Sequence, residues 1–394
     1  MLEFFPAAAE LAWPVVIALA WLAGELGHRI SIPRISTYGL IGFAFGPTQL
    51  GLLHAAPGGS GMLLASIAFG LILFEFGYRI NVRWLRTNPW LGATGLLESA
   101  ATFAAVYFMV RLMGVSQLTG LLLASLSMAT SPASLMRVIN EQRSSGQVTE
   151  RILHLAAINC VLAVFTFNVI VGFWTFDTSG NLWQAVSKSI VVLLVSAGLG
   201  AAFGTAVPGL LRRTGRVSQD ATVAFALAVI VLVGITHELK FSPLVATLTF
   251  GLVARHRRMT LDQTQRNFGA LGDLLSVVLF VYVATTIDGS RVLAGAAIGA
   301  VLLLVRMAVK IFCVGLLAHH SGTSVRKGVL TGLGQMPLSV FVILLLEHTR
   351  YIGIDLLDHL APLAAATLAL ELLGPLATQQ ALRLAGESNE PEDT

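Results

Sequence analysis

Apolar runs of bilayer-spanning length recur from one end of this chain to the other, and no other feature limits its fold so strongly. A helix rises about 1.5 Å per residue, so roughly 17 to 25 apolar residues cover a hydrocarbon layer about 30 Å thick. Inside such a layer only helices and closed barrels satisfy every backbone N–H and C=O. The runs are continuous rather than alternating, which selects helices. With 55% hydrophobic and 12% charged residues, no stretch is left for a separate soluble domain. The expected fold class is therefore an all-α polytopic membrane protein.

Charged residues and Pro/Gly breaks divide the 394 residues into about thirteen transmembrane helices, near 8–27, 35–53, 61–78, 91–113, 118–139, 150–176, 185–211, 220–238, 242–256, 267–287, 292–318, 326–347 and 354–384. The basic residues test the division, because cytoplasmic loops collect Lys and Arg. Seventeen, from Arg29 to Lys327, follow odd-numbered helices, and five, Arg111, Lys188, Lys240, Arg291 and Arg350, follow even-numbered ones. This alternation puts the N-terminus outside and the acidic tail ESNEPEDT in the cytoplasm. It also accounts for the net charge of +4, so a nucleic-acid partner is not expected. The first segment follows Glu3 rather than a basic leader and is read as a retained helix. Cys160 and Cys313 both fall inside apolar helices, which argues against a disulfide framework.

Two helices are interrupted in a similar way. Helix 5 contains LSMATSPASLM, with Thr130, Ser131 and Pro132; helix 12 contains LTGLGQMPLSVF, with Gly332, Gly334, Gln335 and Pro337. Seven helices separate the two, an odd number, so the copies run through the membrane in opposite senses. Inverted repeats of this kind place a substrate site near the midplane, where two broken helices cross. The expected division is a first repeat over 1–184 with core helices within 91–176, a linker helix over 185–219, a second repeat over 220–384, and a tail over 385–394.

Ionisable residues at membrane depth are costly, and each is a functional candidate. Helix 11 carries Arg306 and Lys310, which share a face at i,i+4 spacing. They serve either as a clamp on the carbonyl ends of the broken helices or, for Lys310, in transport. Glu75, Glu98 and Glu371 are the acids inside apolar runs, and Glu371 could equally line a dimer seam. Helix 6 places Asn159 beside Cys160 in HLAAINCVLAV. No phosphate-binding Gly loop, metal-spaced His/Cys cluster or nucleophile triad is present, so neither an enzyme nor a cofactor is expected.

Over nearly its whole length the chain resembles the monovalent cation:proton antiporters, in particular the branch of bacterial Na+/H+ antiporters and potassium efflux proteins. The likeness is carried by IPRISTYGLIGFAFGPTQLGLL at 32–53, HELKFSPLVATLTFGLVAR at 237–255, ATSPASLMRVINEQ at 129–142 and Lys310, in that family's order and spacing. The resemblance implies an antiporter-like fold, a homodimer in a bacterial inner membrane, and a moving core that exchanges Na+ or K+ against H+. It also implies that Asn159 holds the first position of the family's Asn-Asp pair and that Cys160 stands where the ion-binding aspartate belongs. Ser131 likewise replaces a frequent Asp, Arg79 a frequent Glu, and Leu338 and Val340 stand where Arg and Glu are common.

A buried thiol is neutral and a poor ligand for an alkali cation. Three readings follow. The first is antiport at an atypical site, with Thr130, Ser131, Asn159 and Gln335 holding the ion and Glu98 or Glu75 taking the proton. The second is transport of an anion or neutral solute in the field of Arg306 and Lys310. The third is a transport-inactive homologue acting as a sensor or membrane subunit.

Overall fold

Proline marks where several helices start, with Pro89, Pro132 and Pro243 the first residues of theirs. The computed structural model describes residues 6–53, 60–175, 182–214, 217–256, 262–351 and 361–389. Among these residues there are sixteen helices and no strand. They are α1 (Pro6–Arg29), α2 (Arg34–Ala44), α3 (Ser60–Arg79), α4 (Val82–Thr87), α5 (Pro89–Leu112), α6 (Gln117–Met128), α7 (Pro132–Glu141) and α8 (Gln147–Thr175). The second half holds α9 (Leu182–Thr214), α10 (Val217–Glu238), α11 (Pro243–His256), α12 (Asp262–Thr285), α13 (Gly289–Leu316), α14 (Val325–Gly334), α15 (Ser339–Tyr351) and α16 (Ala361–Leu384). With α6–α7 and α14–α15 each forming one interrupted pass, and α4 lying outside the passes, the described residues hold thirteen helical passes, eight of them long and apolar enough to cross a bilayer.

Three local features depart from expectation. Helix 2 is shorter than 35–53 because the chain turns at Gly46-Pro47 and Gly51, whose φ of 67° needs a residue without a Cβ. The chain then folds back, so that the Leu53 amide donates to the Phe45 carbonyl at 2.9 Å. The link after helix 3 forms α4, started by Asn81, whose side chain accepts from the Trp84 amide at 3.2 Å. The acidic tail is docked at its start, where the buried Glu387 carboxylate accepts from the Val148 and Thr149 amides at 2.8 Å each. An acid there satisfies orphan donors at the positive end of α8. Residues 390–394 lie outside the described residues, as does the expected start of helix 13 at 354–360.

Reciprocal packing marks the inverted repeat. α3 packs on α11 and α2 on α12. A Cβ on Gly77 would lie 2.2 Å from the Leu248 carbonyl oxygen, and one on Gly251 would lie 2.0 Å from that of Phe74. Small residues at membrane helix contacts bring backbones this close. Beside this seam, Phe74, Phe225 and Phe250 form an aromatic cluster with ring centroids 4.7 to 5.9 Å apart.

The two interruptions meet. α6 ends at Ala129 in extended backbone, and Pro132 restarts the pass as α7. α14 ends at Gln335, and α15 resumes after Leu338. The Ser131 amide donates to the Pro337 carbonyl at 2.8 Å, and the Thr130 hydroxyl to the Gln335 carbonyl at 3.3 Å. Two unwound segments from opposite halves of the chain are thus hydrogen-bonded to each other.

Candidate functional site

Helix ends at the crossing leave carbonyl oxygens without partners in their own helices, and α13 supplies the donors. Arg306 is fully buried and donates to Ser127 O (2.9 Å), Ala129 O (2.7 Å), Met336 O (2.8 Å) and Gln335 O (3.1 Å). One planar guanidinium therefore satisfies carbonyls of both interruptions, as its fork of donors permits.

One turn on, Lys310 is wholly buried, and its ammonium lies 2.5 Å from Glu98 Oε1, with Met128 O at 3.2 Å and Thr130 Oγ1 at 3.4 Å. Glu98 comes from α5 and is itself fully buried. Thr102 donates to Glu98 Oε1 at 3.3 Å, while Glu98 Oε2 has no partner among the described residues. A carboxylate does reach the crossing, then, but from another helix than the one that carries Cys160.

Cys160 is buried and donates its S–H to the Thr130 carbonyl at 3.0 Å. Asn159 bridges two elements: its amide donates to Gln335 Oε1 at 2.8 Å, and its own oxygen accepts from the Ser99 hydroxyl at 2.8 Å. Ser131 is occupied locally, capping α7 by accepting from the Ser134 amide at 3.5 Å. Thr130, Asn159, Cys160, Gln335, Arg306, Lys310 and Glu98 therefore gather around the interruptions.

Glu75 does not join them. It pairs with Arg79 at 3.4 Å and accepts from Asn140 at 3.3 Å. Asn140 belongs instead to the wall of a funnel of about 970 Å³ at the arginine-rich end, between α1, α2, α7 and α12. Further pairs stand in that wall: His28 with Glu141 at 2.8 Å, Arg34 with Glu25 at 3.1 Å, and Arg137 with Asp273. Arg137, counted with the loop arginines from sequence, is buried in α7. Glu371 is likewise buried, against α2 within the chain, not on its outer surface.

Sequence reasoning missed Ser99 and Thr102. The available signal was the buried stripe Thr94, Glu98 and Thr102 on α5, spaced four residues apart and so on one face.

Comparison with known proteins points the same way. The structure resembles that of the sodium proton antiporter MjNhaP1 from Methanocaldococcus jannaschii at pH 8, with a TM-score of 0.68 at 17% identity over 95% of each chain. A second structure of that antiporter, from an electron-microscopy map, aligns with a TM-score of 0.73 at 18% identity over 99% of each chain. No curated protein sequence matches the chain. Residues 15–377 match the family model described as sodium/hydrogen exchanger, transmembrane. That span is most of the chain, and the protein belongs to the family of transmembrane sodium/hydrogen exchangers.

Proposed function

We propose that the chain exchanges a monovalent cation, Na+ or K+, for H+ across the membrane, and that the cation competes with the Lys310 ammonium for Glu98. One observation carries this reading: Lys310 Nζ sits 2.5 Å from Glu98 Oε1 beside an interruption, both side chains wholly buried. The ammonium occupies a cage of three oxygens, Glu98 Oε1, Met128 O and Thr130 Oγ1. Oxygen donors of this kind also suit a dehydrated alkali cation.

Charge conservation explains the coupling. A cation added to the intact ion pair would leave an extra positive charge in a low-dielectric site, at large desolvation cost. If Lys310 first gives up its proton, the cation and the Glu98 carboxylate balance instead, and the neutral amine withdraws. One proton out for one cation in keeps the site's charge constant. Cys160, Asn159 and Gln335 shape the cage; the thiol is a neutral donor that holds Thr130.

The anion alternative loses its motive, because Lys310 is paired with Glu98 and four of the five Arg306 N–H groups are turned to carbonyls. We assign the arginine-rich end to the cytoplasm, the N-terminus to the outside and the chain to a bacterial inner membrane as a homodimer. The two repeats take the boundaries given above. The test is a vesicle assay with an internal pH dye and imposed Na+, K+ or Li+ gradients. Cation-dependent proton movement is expected; none with any of these ions would sink the exchanger reading in favour of a transport-inactive homologue.

A further inference from the structure

One buried acid takes no part in this scheme. Glu371, in the middle of α16, is 2% exposed, and neither of its carboxylate oxygens has a hydrogen-bond partner among the described residues. It lies on the seam between α16 and α2: a Cβ on Gly39 would stand 2.6 Å from Glu371 Cγ, so the absent side chain is what makes room for the acid. Ser36, one turn earlier on α2, donates its hydroxyl to the Glu371 and Leu372 carbonyls at 3.3 and 3.1 Å, leaving the carboxylate alone.

Charged and titratable groups exist on four of the packed neighbours, among the described residues. They are Arg34 and Tyr38 on α2, Arg137 and Glu141 on α7, Arg291, Arg306, Lys310 and Cys313 on α13, and Arg326 and Lys327 on α14. Each of them that pairs in the structure pairs elsewhere, and none bonds Glu371. The side chains of α15 beyond Leu346 lie outside the described residues.

An isolated carboxylate anion is not tolerated in such a place, whereas a neutral acid is. Ile35 and Tyr38, on the neighbouring face of α2, line the funnel. Gly374, one turn after Glu371, packs on the second interruption, where its Cβ would lie 2.8 Å from Pro337 Cα. The acid thus stands behind the α2 residues that line the funnel, on a helix that also packs on the crossing.

We propose that Glu371 is a second proton-binding site: it takes its proton from the side of the membrane opposite the funnel, holds it as the neutral acid while the α2–α16 seam is closed, and releases it to the funnel when the seam opens. Built on the exchanger reading, this adds one proton per cycle to the one displaced from Lys310, which makes the exchange charge-moving.

The test uses the full chain in lipid and the infrared carbonyl band of a protonated carboxylic acid, followed as the pH is raised. Wild type and Glu98→Gln should show a band that bleaches at high pH; Glu371→Gln should lack it, and Glu371→Asp should show it displaced. A spectrum with no contribution from position 371 overturns the proposal, whatever the transport result. In vesicles, Glu371→Gln should still exchange but with one proton fewer per cation, read as a lost response to an imposed membrane potential. An unchanged ratio also overturns it. If wild type moves no cation, the exchanger reading falls, and the infrared band still decides whether Glu371 holds a proton.

Discussion

The crossing and the funnel both hold acid–base pairs, yet their settings are opposite. At the crossing, Glu98 and Lys310 have no exposure at all. In the funnel, Arg34 and Glu25 are each more than a third exposed, at 36% and 38%. Water screens the second pair and lets either partner be lost cheaply. In the first, removing one charge strands the other in a medium that cannot solvate it. Under the exchange proposed here, the dry pair couples charge to charge, while the exposed pair contributes little.

Five substitutions at four residues probe that contrast. Glu98→Gln should abolish exchange and, by leaving Lys310 unpaired, lower stability by about 3–5 kcal/mol, measured by unfolding in detergent. Survival of full exchange would erase the distinction between the two sites. Arg306→Met comes next: it frees four buried carbonyls, and a loss of roughly 2–4 kcal/mol is expected once part of the site relaxes. Arg306→Lys should restore only part of this, because an ammonium lacks the planar fork that reaches both interruptions.

Cys160→Ser is expected to be mild, within about 1 kcal/mol, since a hydroxyl can still donate to the Thr130 carbonyl. Exchange should persist at a similar rate in the vesicle assay. A dead Cys160→Ser protein would mean that the sulfur itself handles the ion. Smallest of all, Arg34→Gln should cost less than about 1 kcal/mol. Its effect on flux should fade as salt rises; a salt-independent loss would show that the funnel pairs are not screened after all.

Much of the fold was legible because bilayer thickness fixes helix length, and the alternating arginine load checks the count. Pro132 and Pro337 announced the interruptions through their missing N–H groups. What stayed hidden was partnership over distance: Glu98 and Lys310 are 212 residues apart, and no local pattern tells which acid on which helix reaches a given cation. Glu75 looked as good as Glu98 in sequence, because both are single acids in apolar runs. Short elements were also opaque, since the six residues of α4 carry too little periodicity to separate a helix from a loop. The docking of Glu387 on α8 escaped for the same reason as the ion pair.

The backbone contact at Gly77 and Gly251 carries a mechanical consequence. Where two main chains touch with no side chain between them, one cannot ratchet past the other without steric collision, so α3 and α11 are expected to travel as a single strut. Spin labels placed across that strut should report one separation in every loaded state. Labels on α2 and α16, whose seam is held by the Ser36 hydroxyl and the Gly39–Glu371 contact rather than by touching main chains, should report two.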